Sequence, residues 1–181
     1  DRMYPEGHPQ RAMGLGNIGD ELMRVGQLEE ARPYLEAALA AFKKTLPNGW
    51  LIANCSNSLG ELERLEGRPE RARPFLEHAL AFYDTLPVRY GSPRVLDGNL
   101  WYVDTLRSLG LVDETEGRLN DALEHLGRAQ EARSHIARVV SIDPSNDYAR
   151  VLRKAGRIAE AEKIESGAIK QPPVGSDAAR R

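Results

Sequence analysis

The sequence predicts an all-α fold, a stack of about four antiparallel helical hairpins. Three observations point there: small residues recur in a fixed frame, glycines and prolines fall where helices in that frame would end and begin, and the apolar residues between them keep a helical period. The frame first reads Leu15-x-x-Ile18-Gly19, then Gly26, Ala31, Leu35 and Ala38. It recurs as Ser56-x-x-Leu59-Gly60, Gly67, Ala72, Leu76 and Ala79, and again as Leu106-x-x-Leu109-Gly110, Gly117, Ala122, Leu126 and Ala129. A degraded fourth copy reads Ser145-x-x-Tyr148-Ala149, Leu152, Gly156, Ala161 and Ala168, with Glu165 where a large apolar residue is due. Every copy keeps one internal spacing, as from Gly19 to Ala31 and on to Ala38, while the distance between copies varies. The hairpin is therefore the fixed unit and its connectors are not.

Eight helices follow in order: Pro9–Val25 and Leu28–Leu46, Trp50–Glu66 and Pro69–Leu86, Pro93–Glu116 and Leu119–Ser141, Pro144–Ala155 and Ile158–Ile169. Pro9, Pro69, Pro93 and Pro144 suit a first turn, where a missing N–H costs nothing, and Ser92 and Asp143 precede two of them as N-caps. Gly26, Gly67, Gly117 and Gly156 each suit the left-handed residue that ends a helix. Gly19, Gly60 and Gly110, with Ala31, Ala72 and Ala122, leave room for close helix approach, and Leu35, Leu76 and Leu126 fill the seams. Pro33 and Pro74 fall inside second helices, where each deletes a backbone bond and should bend the helix near its first turn. The third hairpin and the connector leading to it are expected to be longer than the others. The repeats occupy residues 1–169, in copies 9–46, 50–86, 93–141 and 144–169, and residues 170–181, with their Pro-Pro step, are expected to be a disordered tail or linker.

The 181 residues are 41% hydrophobic and 29% charged, and 25 basic against 27 acidic side chains give a net charge of −2. That balance removes the bulk electrostatic argument for nucleic acid or an anionic membrane. No apolar run approaches the ~20 residues of a membrane span. The single cysteine, Cys55, has no internal partner, in keeping with a reducing, cytoplasmic setting. The opening Asp1-Arg2-Met3 carries no leader pattern and suggests a piece of a longer protein.

Catalytic chemistry finds no footing. His8, His78, His125 and His135 form no metal-ligand spacing with one another or with Cys55. Gly14-x-Gly16-x-x-Gly19 matches a dinucleotide fingerprint in letters only, because it lies within a helical pattern and follows no strand. The carboxylates Glu29 and Glu30, Glu61 and Glu63, and Asp113, Glu114 and Glu116 read as solvated surface charge. No catalytic residue, metal site or cofactor is expected. Of the large aromatics outside the frame, Trp50, Trp101 and Tyr102, Trp101 reads as core, and Trp50, at the start of a helix, as the more open.

The recurring frame resembles the tetratricopeptide repeat, W-x₂-L-G-x₂-Y…A-x₃-F…P, over about residues 9 to 169. Departures are Leu15, Ser56, Leu106 and Ser145 at the tryptophan position, and Leu22, Glu63, Asp113 and Leu152 at the tyrosine position, where Leu62 and Val112 are expected to take over packing. Gly7-His8-Pro9-x-x-Ala12 resembles the opening of the long-repeat subtype found in kinesin light chains and in bacterial arrays behind serine/threonine kinase or other signalling domains. The resemblance implies a right-handed superhelix whose first helices line a concave surface that binds a protein or peptide. Carried over, the contact positions are Asn17, Asp20 and Arg24; Asn54, Asn57, Glu61 and Arg64; and Asp104, Arg107 and Ser108. Asn17 and Asn57 stand out, since an asparagine amide can bond both groups of a peptide backbone. The implied function is a non-catalytic binding scaffold, the C-terminal regulatory region of a larger bacterial signalling protein. A structural or self-associating array is the second reading. RNA binding through Arg24, Arg64 and Arg107 is the weakest, because Asp20, Glu61 and Asp104 lie beside them.

Overall fold

The computed structural model describes residues 8–45, 49–86, 100–134 and 143–168. Among them are eight α-helices and no strand. They are α1 (Pro9–Arg24), α2 (Leu28–Thr45), α3 (Trp50–Leu65), α4 (Pro69–Asp84), α5 (Leu100–Thr115), α6 (Leu119–Ser134), α7 (Ser145–Lys154) and α8 (Ile158–Ala168). Successive pairs form four hairpins, stacked through α2 on α3, α4 on α5 and α6 on α7, which makes the chain an α-solenoid. The expected beginning of α5 at Pro93, the far end of α6, the cap at Ser92 and the tail at 170–181 lie outside the described residues. Pro9 and Pro69 occupy first-turn positions. Pro144 instead precedes α7 as its N-cap residue, and the Asp143 carboxylate accepts from the Ser145 N–H at 3.0 Å.

One turn, used four times, fixes the hairpin. Gly26, Gly67, Gly117 and Gly156 have φ of 81, 74, 75 and 76°, the left-handed region that a Cβ disfavours. The next residue's N–H reaches back to close the finished helix: Arg68 N to Glu63 O at 2.9 Å, and Arg118 N to Asp113 O at 2.8 Å. The same residue's carbonyl then accepts the first bond of the new helix, from Ala72 and Ala122 N, each at 3.0 Å. No slack remains between the helices, so the spacing from Gly60 to Ala72 cannot drift.

Within each hairpin a leucine lies over a glycine. A Cβ built on Gly19, Gly60 or Gly110 would stand 2.6 Å from Leu35, Leu76 or Leu126, far inside contact distance. The fourth hairpin changes both partners together. Ala149 supplies the Cβ, and Glu165 replaces the leucine and pairs with Arg153 at 2.8 Å. Pro33 and Pro74 do not interrupt α2 and α4, which continue through them. Both prolines are exposed, as are Glu29 and Glu70 one turn earlier, so the carbonyls left without a helical donor face water.

Between hairpins, polarity is matched joint by joint. Arg32 on α2 reaches Glu63 at 2.7 Å and also pairs with Glu66, while Arg68 holds Glu63 from the other side at 2.6 Å. At the next joint, Arg73 takes the equivalent place and bridges Asp113 and Glu116, each at 2.7 Å. At the third joint the arginine position is Leu123 and the acid position Leu152, both in one buried apolar cluster. The reading of these carboxylates as solvated charge is corrected here: Glu63 is 3% and Asp113 0% exposed. Their burial is tolerated because each lies between two guanidiniums. Burial pushes the Glu63 carboxyl up, but Arg32 and Arg68 together more than offset it and hold the group below the usual range. Leu62 and Val112 are fully buried beside them, as expected.

Two outcomes follow from this packing. Gly60→Ala should lower stability by about 1–3 kcal/mol through overpacking against Leu76, and most of that loss should vanish in a Leu76→Ala background. A urea-unfolding cycle in which the two changes simply add would contradict the contact. Arg32→Leu should cost about 2–4 kcal/mol by leaving Glu63 half-paired. Adding Glu63→Leu, which copies the Leu123–Leu152 joint, should restore stability to within about 1 kcal/mol of the parent.

Candidate peptide-binding groove

The first helices form one layer and touch one another directly, α1 with α3, α3 with α5, and α5 with α7. Among the described residues the second helices make no comparable contact with one another. The more closely spaced layer is the inside of the curve, so α1, α3 and α5 line the concave side.

A chain of polar contacts joins this inner layer. Ser58 lies near Asp20, offsetting in part the rise that burial gives its pKa, and one step along the stack Ser108, at the equivalent position, donates to Glu61 at 2.8 Å. Asn57 donates through Nδ2 to Asp104 at 2.9 Å and accepts from the Thr105 hydroxyl at 2.6 Å. Arg107 pairs with Asp147 at 2.6 Å, extending the chain to α7. Asn54 points to the second layer, where it accepts from the buried Tyr83 hydroxyl at 2.6 Å.

The expected contact residues therefore divide. Asn17 and Arg24 are exposed, and Arg24 pairs with Glu21 on its own helix at 2.7 Å. Asp20, Glu61, Arg64 and Asp104 are half-buried in the groove, with Arg64 held by Glu61 at 2.6 Å. Asn57 is 1% exposed and its amide is engaged by α5; Asn54 and Ser108 are likewise buried in helix-to-helix bonds. The two asparagines that read alike in sequence are not equivalent: in the repeat frame Asn17 corresponds to Ser58, and Asn57 to Gly16.

Two neighbouring cavities open along this layer. The larger, of about 520 Å³, has Met23, Leu65, Leu100 and Trp101 as its apolar wall and Asp20, Glu61 and Asp104 as its acids. The smaller, of about 240 Å³, is lined by Met13, Phe42, Trp50 and Leu51 and shares Asp20, Ser58 and Trp101 with the first. Trp101, read as core, is half-buried with one side on the core and the other on the groove. Trp50 is 54% exposed and Leu65 45%, apolar surface available at both cavities. The tryptophans carried no frame signal; their place follows from their positions in the first turns of α3 and α5.

Burial dominates the electrostatics. It raises the Asp20 carboxyl above its ordinary value, and Oδ1 of Asp20 is buried with no hydrogen-bond partner. Asp104 is pushed up to about 6 by desolvation first and then by the Glu61 charge, against the opposing hydrogen bond from Asn57. Neither Asp20 nor Asp104 has an ion-pair partner among the described residues. Cys55, in the smaller cavity, has its thiol raised to about 12 by burial and by Asp20, so it is not a reactive thiolate. Among the described residues no three acidic, histidine or cysteine side chains gather as a metal site, and no helix is long and apolar enough to cross a membrane.

Comparison with known proteins bears on the fold and the family. Residues 10–85, the first two hairpins, match the family model described as tetratricopeptide repeat. Among curated proteins no relative matches the chain. The crystal structure of a Podosopora anserina putative kinesin light chain with nearly identical TPR-like repeats is 19% identical, covers 92% of this chain and 79% of its own, and superposes with a TM-score of 0.69. A second crystal structure of that protein gives 19%, 93%, 79% and 0.70. BtubC (BKLC) from P. vanneervenii gives 17%, 96%, 71% and 0.67. At such identities the likeness of these structures is one of fold. The frame of small residues, the shared turn and the repeat model agree over residues 10–85, and the chain as a whole shares the fold of these TPR-like structures.

Proposed function

We propose that the chain is a non-catalytic scaffold that binds a peptide segment of another protein in the groove along α1, α3 and α5. Tetratricopeptide repeats typically serve protein–protein interaction, and the observation that carries the reading here is the groove itself. It combines an open apolar wall with carboxylates that the stack does not use as ion pairs. Asn17, Asp20, Asp104 and the exposed edges of Glu61 and Arg64 are its polar contacts; Asn54, Asn57 and Arg107 hold the helices that shape it. Placement behind a bacterial signalling domain such as a serine/threonine kinase, in the cytoplasm, is supported by the Gly7-His8-Pro9 resemblance alone.

A second reading, stacking or self-association, is favoured by one observation. Ile18, 45% exposed, corresponds in the frame to Leu59 and Leu109, which are buried under the preceding hairpin. Together with Leu22 and Val25 it leaves an apolar face of α1 uncovered among the described residues. RNA binding finds less support, since Arg24, Arg64 and Arg107 are each paired with a carboxylate.

Peptides selected from a random display library against the chain should lose at least about tenfold in affinity on Leu65→Glu, a substitution at an exposed site that the fold tolerates. The same peptides should bind Ile158→Glu, exposed on α8, as they bind the parent. Equal binding to both variants would move the site away from the groove. A buried carboxylate kept for binding should also weaken the fold. The folded value of Asp104 lies above its unfolded one, so its contribution is fully present below about pH 4 and is lost as pH rises through about 6. Asp104→Asn should therefore raise stability at pH 7, by up to about 3 kcal/mol, and flatten the pH dependence between 4 and 7 in urea unfolding.

A further inference from the structure

The charges in the groove are not balanced from within. Arg24 and Arg64, the cations that line the larger cavity, are each taken by a glutamate three residues away on the same helix, at 2.7 and 2.6 Å. Those pairs neutralise themselves. Asp20 and Asp104 remain, on α1 and α5, lining the same cavity with no cation bridging either. Asn57 donates to Asp104, and the charges of Arg107 and Arg64 act on it from a distance, but neither arginine forms an ion pair with it. Oδ1 of Asp20 lacks even a neutral donor and is shut off from solvent. Beside these groups stand Met23, Leu65 and Trp101, a wall suited to an aliphatic side chain or to the methylene stem of a lysine or arginine.

We propose that the groove selects peptide segments carrying a lysine or arginine next to a bulky apolar residue, the cation set against Asp20 and Asp104 and the apolar side chain against Trp101, Met23 and Leu65. This rests on the groove being the binding site. An acidic segment would bring its charge beside Asp20, Asp104 and Glu61 in a partly desolvated cavity, where like-charge juxtaposition discriminates strongly. A neutral apolar segment would fill the wall and leave both carboxylates without an ion-pair partner. A basic group supplies the missing counter-charge to both carboxylates.

The chain carries its own reporter, because both of its tryptophans, Trp50 and Trp101, line the two compartments. Tryptophan emission of the full chain is titrated with three capped, tryptophan-free heptapeptides that differ at one place, Leu followed by Lys, by Gln or by Glu. The lysine peptide is expected to bind at least about tenfold more tightly than the glutamate peptide at low salt, and the gap is expected to shrink in 0.5 M salt. Asp20→Asn and Asp104→Asn, two separate variants each checked for folding by circular dichroism, are each expected to weaken the lysine peptide about fivefold or more and to leave the glutamine peptide unchanged. A glutamate peptide that binds as well as or better than lysine overturns the charge assignment while leaving the groove in place. So does a set of display-selected peptides that need Leu65 and contain no basic residue. If no heptapeptide perturbs either tryptophan and the selected peptides ignore Leu65→Glu, the groove reading falls with it.

Discussion

Each of the first three hairpins is set by the seating of a leucine of its second helix on a glycine of its first. Leu35 on Gly19, Leu76 on Gly60 and Leu126 on Gly110 occupy the space a Cβ would take, so the two helices meet at one separation and one rotation. With the turn shared between the helices, neither partner can slide without losing both the contact and the terminal hydrogen bonds. The angle of the hairpin decides which side of α1, α3 and α5 faces inward, and thus which residues can line a groove at all. The polar chain from Asp20 to Asp147 is downstream of that apolar contact: it joins helices whose orientation is already given.

Cohesion between hairpins uses different chemistry at different joints. Two joints place an arginine over a pair of acids, and the third places leucine over leucine. Each arrangement is self-consistent, and a mixture would leave a buried charge without a partner. The inner layer repeats a smaller device, an acid of one hairpin beside a serine of the next, at Asp20 with Ser58 and, as a hydrogen bond, at Glu61 with Ser108. It lapses at Leu111, where Arg107 and Asp147 take over the connection.

Most of the fold was legible in the sequence because it depends on local rules. Gly26, Gly67, Gly117 and Gly156 mark the turns through a backbone requirement that only a few residues meet, and the recurrence of small residues at one spacing gives the packing. The site was legible in part. The contact positions carried over from the resemblance put Asp20, Glu61 and Asp104 on one face. They were not enough to tell a residue that faces a groove from one that bridges to the next helix, and Asn57 is the second kind. Glu63 and Asp113 misled for a related reason: their partners, Arg32 and Arg73, are 31 and 40 residues away in the chain and visible only once the stacking is known.

The alternation of joint chemistry gives the array a grammar for gaining and losing repeats. Excising the second hairpin would bring Arg32 over Asp113 and Glu116, the pairing that Arg73 already makes, and the cut ends would still match. Excising the third would lay Arg73 on Leu152 and strand a guanidinium against an apolar cluster. The first two joints are thus interchangeable, whereas the third is keyed to a following hairpin of its own kind. A lineage of such chains can gain or lose hairpins ahead of that joint while keeping the joint itself.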